Sequence, residues 1–286
     1  MRGAEVYVRS GSQVAHTPVG PIEYGSVGEG PVVLIAHGIS GGYDQGLLAT
    51  RLTHDQPFRL VAVSRPGYLR TPLDVGRTPE EQADAYAHLL DALGVEQAAV
   101  VGISGGGPSA LQFALRHPQR CRALALVSAV SRRIATRLTR KQMLMLNLLG
   151  RDFPLWLLGT TSRQRLLTMS GITPRDREQL RAQPEKEEIV MKIIQPLPVW
   201  MRRAGLENDL EQLARLPDYP VERITAPTIV VHGTDDPVVP FSHAQFVADK
   251  VKGTQLVRVE GGGHFCVVIY KEEVMPALIG FLKRYA

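Results

Sequence analysis

The chain has 286 residues, 44% hydrophobic and 21% charged, with a formal charge of +5 at pH 7. This composition excludes a disordered tail, a collagen-like fibre and a small disulfide scaffold. A chain this long buries enough surface to need neither metal nor disulfide for its core.

In chain order, the N-terminal stretch MRGAEVYVRSGSQ lacks the apolar run of a secretory leader. Short β-branched apolar runs then alternate with helix-like segments. They are VVLIAHG ending at Gly38, RLVAVSRPG at Gly67, AAVVGISGG at Gly106, ALALVSAV at Val130, TIVVHGTDD at Asp236 and TQLVRVEGGGH at His264. Continuous apolar runs of this length suit strands buried on both faces, hence a mainly parallel sheet and an α/β architecture. Between them, Thr78-Pro-Glu-Glu opens a helix expected to run to about Leu93, with Gly94 as its stop. A second helix is expected from Pro108 to His117, ending before Pro118.

One segment breaks the alternation. Residues 131–216 hold no convincing strand and are read as a helical cap, with breaks at Pro154, Gly171, Pro184, Pro196 and Gly205. The core is then residues 1–130 and 217–286. Trp156, Trp200 and several methionines, Met143 and Met145 among them, fall inside the cap. They suit an adaptable apolar pocket wall or, equally, glue between cap helices. The most apolar window, 143–159, is interrupted by Arg151 and Asp152 and is too short to span a bilayer.

Basic residues gather at 132–141 and 163–181. With no nucleic-acid-reading motif beside them they read as solvated helix surface, so no nucleic-acid partner is expected. Cys121 and Cys266, without CxxC or metal-ligand spacing, point to a reducing compartment and a cytoplasmic location. No metal and no cofactor is expected. Neither G-x-x-x-x-G-K-[ST] nor H-E-x-x-H occurs, and Ala110 stands where G-x-G-x-x-G would need its last glycine.

The chemistry-bearing signal is Gly102-Ile103-Ser104-Gly105-Gly106, a G-x-S-x-G run directly after a strand and before a helix. That context is what a nucleophile elbow requires, since small neighbours let the chain fold back sharply and lift the hydroxyl above the sheet edge. A serine needs a base. His264 follows it in sequence on a triple-glycine loop after the last strand. The imidazole needs a carboxylate. Asp235 and Asp236 both lie at the end of the preceding strand; Asp236, biased to extended backbone by Pro237, is favoured. A tetrahedral oxyanion needs two amide donors. Gly105 supplies one, and the turn His37-Gly38-Ile39-Ser40-Gly41-Gly42 supplies the other at Ile39, with Ser40 as a further polar contact to substrate.

These stretches resemble the α/β-hydrolase fold superfamily along nearly the whole chain. The likeness rests on His37-Gly38, GISGGGP at 102–108, HGTDDPVVP at 232–240, GGGHF at 261–265 and the order Ser, Asp, His. GGYDQG at 41–46 and SRPGY at 64–68 are similar to bacterial members. The family pattern H-G-x-x-D-P-x-V-P sets the acid on Asp236. The resemblance implies a mostly parallel eight-stranded core flanked by helices, with a helical cap after the sixth strand. It implies a serine esterase acting on a small-molecule ester with apolar groups through Ser104, Asp236 and His264. Other chemistries run on the same triad: carbon–carbon bond hydrolysis, perhydrolysis and prolyl aminopeptidase activity, and a non-catalytic receptor is a further alternative. The aspartate nucleophile of dehalogenases and epoxide hydrolases is absent at 104.

Overall fold

The computed structural model describes residues 10–48, 57–134, 161–195 and 198–286. The six apolar runs become β3 (Val32–Ala36), β4 (Arg59–Val63), β5 (Ala98–Ile103), β6 (Cys121–Val127), β7 (Thr228–Gly233) and β8 (Gln255–Val259). Two further strands, β1 (Gln13–Thr17) and β2 (Gly20–Val27), form a hairpin ahead of them. Their residue pattern is faint because Pro21 and Gly25 interrupt β2 and Glu23 sits at a buried position. Glu23 is tolerated there because its carboxylate accepts from the Ser64 hydroxyl at 2.8 Å and from Arg70 Nε at 2.7 Å.

The sheet has eight strands in the order β1-β2-β4-β3-β5-β6-β7-β8. β1 and β2 pair antiparallel, as do β2 and β4, and the other five pairings are parallel. All five residues of β3 are buried, Leu34 and Ala36 against one face and Val33 and Ile35 against the other. Each such aliphatic side chain contributes about 1.5–3 kcal/mol on leaving water. That two-sided burial is why β3 to β7 read as apolar runs, whereas the edge strand β8 keeps Gln255 and Arg258 exposed.

Among the described residues the helices are α1 (Tyr43–Gly46), α2 (Pro79–Ala92), α3 (Gly107–Arg116), α4 (Arg163–Met169), α5 (Pro174–Ala182), α6 (Pro184–Ile194), α7 (Arg203–Leu213), α8 (Ser242–Lys250), α9 (Cys266–Ile269) and α10 (Lys271–Tyr285). Buried residues of α2, α3 and α8 belong to one core, and those of α4 to α6 and α10 to the other. α2 begins as its sequence dictates. Thr78 Oγ1 accepts from the Glu81 amide at 3.2 Å, Glu81 accepts back from the Thr78 amide at 3.0 Å, and Pro79 fills the first position. Gly94, at φ 65°, follows its end.

Between β6 and β7 the described residues carry α4 to α7 and no strand. The 143–159 window, with Trp156, Met143, Met145 and Pro154, and also Pro196, lies outside the described residues. Gly205 departs from expectation. It is no break but lies in the first turn of α7, where a Cβ would come within 2.3 Å of the Tyr68 ring. The glycine lets α7 close onto the 65–68 loop, with the Gly205 amide donating to Gly67 O at 2.8 Å. Most arginines of the 163–181 stretch are exposed, as a solvated face requires. Among the described residues no helix is long and apolar enough to cross a membrane.

Candidate active site

The strand order reverses direction at β3 and β5. β3 connects to β4 on one side, and the chain then crosses back to place β5 on the other. A crevice opens beyond the carboxyl ends of strands at such a point. The turn after β3 and the serine after β5 both stand at that point of the sheet.

β5 ends at Ile103 and the chain turns through a single 3₁₀ turn, Ser104–Gly106, straight into α3. Ser104 has φ 49°, a left-handed conformation that costs a non-glycine residue about 1–3 kcal/mol. The surroundings enforce it. A Cβ at Gly106 would lie 2.3 Å from Ala36 O, and one at Gly102 would lie 2.7 Å from the Ala110 methyl. The Val130 amide donates to Ser104 O at 3.0 Å and fixes the outside of the bend.

His264 Nε2 lies 3.0 Å from Ser104 Oγ, and its Nδ1 lies 2.8 Å from Asp236 Oδ2. The Asp236 side chain is wholly buried. Its Oδ1 accepts from the Val238 and Val239 amides at 2.8 and 2.9 Å, and its Oδ2 also lies 3.3 Å from His232 Nε2. Burial by itself would raise the Asp236 pKa. The hydrogen bonds from His232, His264 and the Val239 amide overcome this and hold it well below the usual carboxylate range. An ionised carboxylate only accepts, so the His264 proton resides on Nδ1 and Nε2 is left to accept from the Ser104 hydroxyl. Asp235 takes no part in this series: its side chain accepts from the Thr234 hydroxyl at 3.2 Å.

A Cβ built on Gly105 would lie 3.3 Å from the Ile39 nitrogen, and one on Gly38 would lie 3.6 Å from Ser104 Oγ. The Ile39 and Gly105 backbones thus flank the serine. The Gly105 amide is in the first turn of its helix, where no intrahelical acceptor is available. Ser40 follows Ile39 with φ 60°, and its amide donates to the Tyr68 hydroxyl at 3.3 Å. Trp200 sits on the 3₁₀ turn Val199–Arg202 and is 58% exposed, while Val199, Met201 and Arg202 of the same turn are buried. The other tryptophan expected near substrate, Trp156, is outside the described residues.

Buried polar residues from distant elements hold this turn in place. Buried Arg65 donates from Nε to His37 O at 2.8 Å and forms a two-armed pair with Asp209 of α7, the Nη1 arm at 2.9 Å. The Tyr68 hydroxyl donates to the same carboxylate at 2.6 Å. His37 Nε2 accepts from the Arg65 amide at 3.0 Å while its Nδ1 donates to Gly38 O at 2.7 Å. Burial and the neighbouring Arg65 guanidinium hold the His37 pKa well below its ordinary value, so it stays neutral. Arg202 donates to Gly41 O at 2.6 Å and pairs with Asp44 at 2.7 Å. Arg65 and Tyr68 lie in the SRPGY run and Asp44 in GGYDQG, whereas Asp209 lies in neither. Removing one member of a buried ion pair leaves its partner unsatisfied, at a cost of about 3–5 kcal/mol. Asp209→Ala is therefore expected to lower the unfolding free energy by that amount in urea titration, and a loss below about 1 kcal/mol would contradict the burial argument.

The sheet, the strand–serine–helix bend and the order of these residues define an alpha/beta hydrolase. The alpha/beta hydrolase fold family profile matches residues 31–268, and the chain belongs to that family. Among solved structures, an alpha/beta hydrolase fold protein from Nakamurella multipartita superposes with a TM-score of 0.84 at 34% identity, over 95% of this chain and 99% of that one. The uncharacterized hydrolase YcgS of Bacillus subtilis is 28% identical over 274 residues, covering 92% of this chain and 95% of its own. A poly(3-hydroxyalkanoate) depolymerase of Ectopseudomonas oleovorans is 26% identical over 242 residues, covering 80% and 77%.

Proposed function

We propose that the protein is a serine hydrolase that cleaves carboxylic esters through an acyl-enzyme. Ser104 Oγ attacks the acyl carbon as its proton passes to His264 Nε2. The tetrahedral oxyanion is received by the amides of Gly105 and Ile39. Collapse breaks the ester C–O bond, and the departing alkoxide takes the proton from His264. Water, deprotonated by the same nitrogen, then attacks the acyl carbon and releases the acid and Ser104. Asp236 fixes the His264 tautomer and stabilises the imidazolium.

The observation that supports this reading most is the unbroken series from Ser104 Oγ through His264 to Asp236, at 3.0 and 2.8 Å. The likeness to a poly(3-hydroxyalkanoate) depolymerase leans the same way. In this reading residues 131–216 cap the site, and the core of 1–130 and 217–286 carries the chemistry. Ser40 contacts the substrate beside Ile39. Trp200, two residues from the Arg202 that binds Gly41, offers its exposed indole at the entrance. The substrate is a small ester with an apolar acyl or alcohol group. The two free and buried thiols, Cys121 and Cys266, fit a cytoplasmic setting.

A fluorophosphonate probe is expected to label Ser104, located by peptide mass spectrometry. The protein is expected to turn over p-nitrophenyl esters faster than ring-fission dienones or prolyl amides. An unlabelled Ser104 refutes the activated serine; labelling with preferred turnover of a dienone or a prolyl amide refutes the ester assignment alone.

A further inference from the structure

His264 hangs from the loop Gly261–Gly262–Gly263, and that loop is gripped from two sides. On the β7 side, the Gly261 amide donates to Thr234 Oγ1 at 2.8 Å and the Asp235 amide donates to Gly262 O at 3.1 Å. On the opposite side stands the N-terminus of α5. Thr173 and Asp176 form a reciprocal capping box there: the Thr173 amide donates to Asp176 Oδ2 at 3.0 Å, and the Asp176 amide donates to Thr173 Oγ1 at 3.1 Å. The same two side chains reach beyond their own helix. Thr173 Oγ1 donates to Gly261 O at 3.3 Å, and both Asp176 carboxylate oxygens accept from the Gly263 amide, at 3.1 and 3.2 Å.

The capping box of α2 shows what a box does when it serves only its helix. Thr78 and Glu81 lie at the surface and bond to the adjoining backbone. Asp176, in contrast, is 0% exposed. Burying a carboxylate carries a desolvation cost that an exposed cap avoids, and here the Thr173 and Gly263 amides, with the Tyr270 phenol beside them, offset it. The extra donor is the peptide immediately before His264. A Cβ at Gly263 would lie 2.4 Å from Asp176 Oδ2, so the approach depends on glycine. A second tie holds the end of α9, downstream of His264. Buried Lys186 of α6 donates to Ile269 O at 2.7 Å and pairs with Glu272 at 2.6 Å. The chain on both sides of the imidazole is thus fastened to the helical segment.

We propose that Asp176, with Thr173, is a positioning residue for His264: the segment between β6 and β7 sets the seat of the imidazole through the Gly263 amide. The inference rests on the hydrolase reading given above. Misplacing a reacting group by about 1 Å costs on the order of a hundredfold in rate. A released Gly263 peptide turns the Cα–Cβ bond of His264 and lengthens its contact with Ser104.

The test compares Asp176→Asn, Thr173→Val and Thr173→Ser in the full chain. It reads kcat and KM on p-nitrophenyl butyrate, the rate of fluorophosphonate labelling, and the downfield proton resonance of His264 Nδ1–H. Asp176→Asn is expected to lower kcat and the labelling rate at least about tenfold with KM within about twofold, and to move or broaden the resonance. Thr173→Ser, which keeps the hydroxyl, is expected to restore what Thr173→Val loses. Wild-type kcat, labelling and resonance in Asp176→Asn, even with a lowered melting temperature, would overturn the proposal and leave an ordinary cap. If Asp176→Asn does not fold, equal kcat in the two Thr173 variants overturns it. If the wild type neither labels nor turns over ester, the hydrolase reading falls instead, and the resonance still reports on Asp176.

Discussion

Ser104→Ala is expected to lower turnover of a p-nitrophenyl ester by about four to six orders of magnitude, with the folded structure kept. In the proposed mechanism the variant loses the atom that forms the acyl-enzyme. His264 Nε2 then has no hydroxyl to deprotonate at 3.0 Å. In that mechanism the amides at Ile39 and Gly105 remain to favour an oxyanion formed by attack of water, so a small residual rate above background is expected. Alanine at φ 49° carries the same backbone strain as serine, and the contacts that force the bend come from Gly102, Gly106 and the Val130 amide donating to Ser104 O rather than from the hydroxyl. The melting temperature is therefore expected to shift little. Steady-state kinetics alongside circular dichroism check both halves. A variant that keeps more than about a tenth of the wild-type rate would remove Ser104 from the mechanism.

Asp236→Asn carries the second large effect, a fall of about four orders of magnitude in kcat. The asparagine amide offers a donor where His264 Nδ1–H needs an acceptor. The imidazole then takes the other tautomer, placing its proton on Nε2, where it can no longer accept from Ser104. Asp235→Asn is the matched control. Its side chain bonds the Thr234 hydroxyl and not the imidazole, so activity within about twofold of wild type is expected. Equal losses in the two variants would mean that neither acts through His264. Asp236 also links stability to acid. Its pKa is lowered in the fold, so its contribution is complete above the unfolded value of about 3.9 and is lost as pH falls below that toward the folded value. Asp236→Asn is expected to flatten this part of the acid-unfolding curve.

How far the sequence reaches depends on the kind of signal. β3 to β7 are legible because burial on both faces demands continuous apolar residues, while β8, at the sheet edge with Gln255 and Arg258 exposed, shows through Leu256, Val257 and Val259. β1 and β2, at one edge, carry proline, glycine and a buried glutamate whose partners come from distant loops, and no local pattern records that. The helix at Pro79–Ala92 is legible from its cap, and Thr173-Pro174-Arg175-Asp176 carries the same type of signal for α5. Ser104, Asp236 and His264 stand out because each needs a special turn that leaves glycines or a proline behind. Asp209 and Asp176 do not: each sits in an ordinary polar helix, and its meaning lies in a partner 144 or 87 residues away. Gly205 misleads for the same reason, since the ring it accommodates belongs to another element.

The parallel pairing of β6 with β7, Leu124 opposite Thr228, closes a loop that contains α4 to α7 and the chain around them. The entropy of closing a loop grows only with the logarithm of its length, so doubling that segment would weaken the pairing by about 0.6 kcal/mol. The sheet is thus nearly indifferent to how much chain is threaded between those strands. Lineages sharing this scaffold are free to lengthen, shorten or exchange the insert, with few constraints beyond the anchoring contacts it must keep.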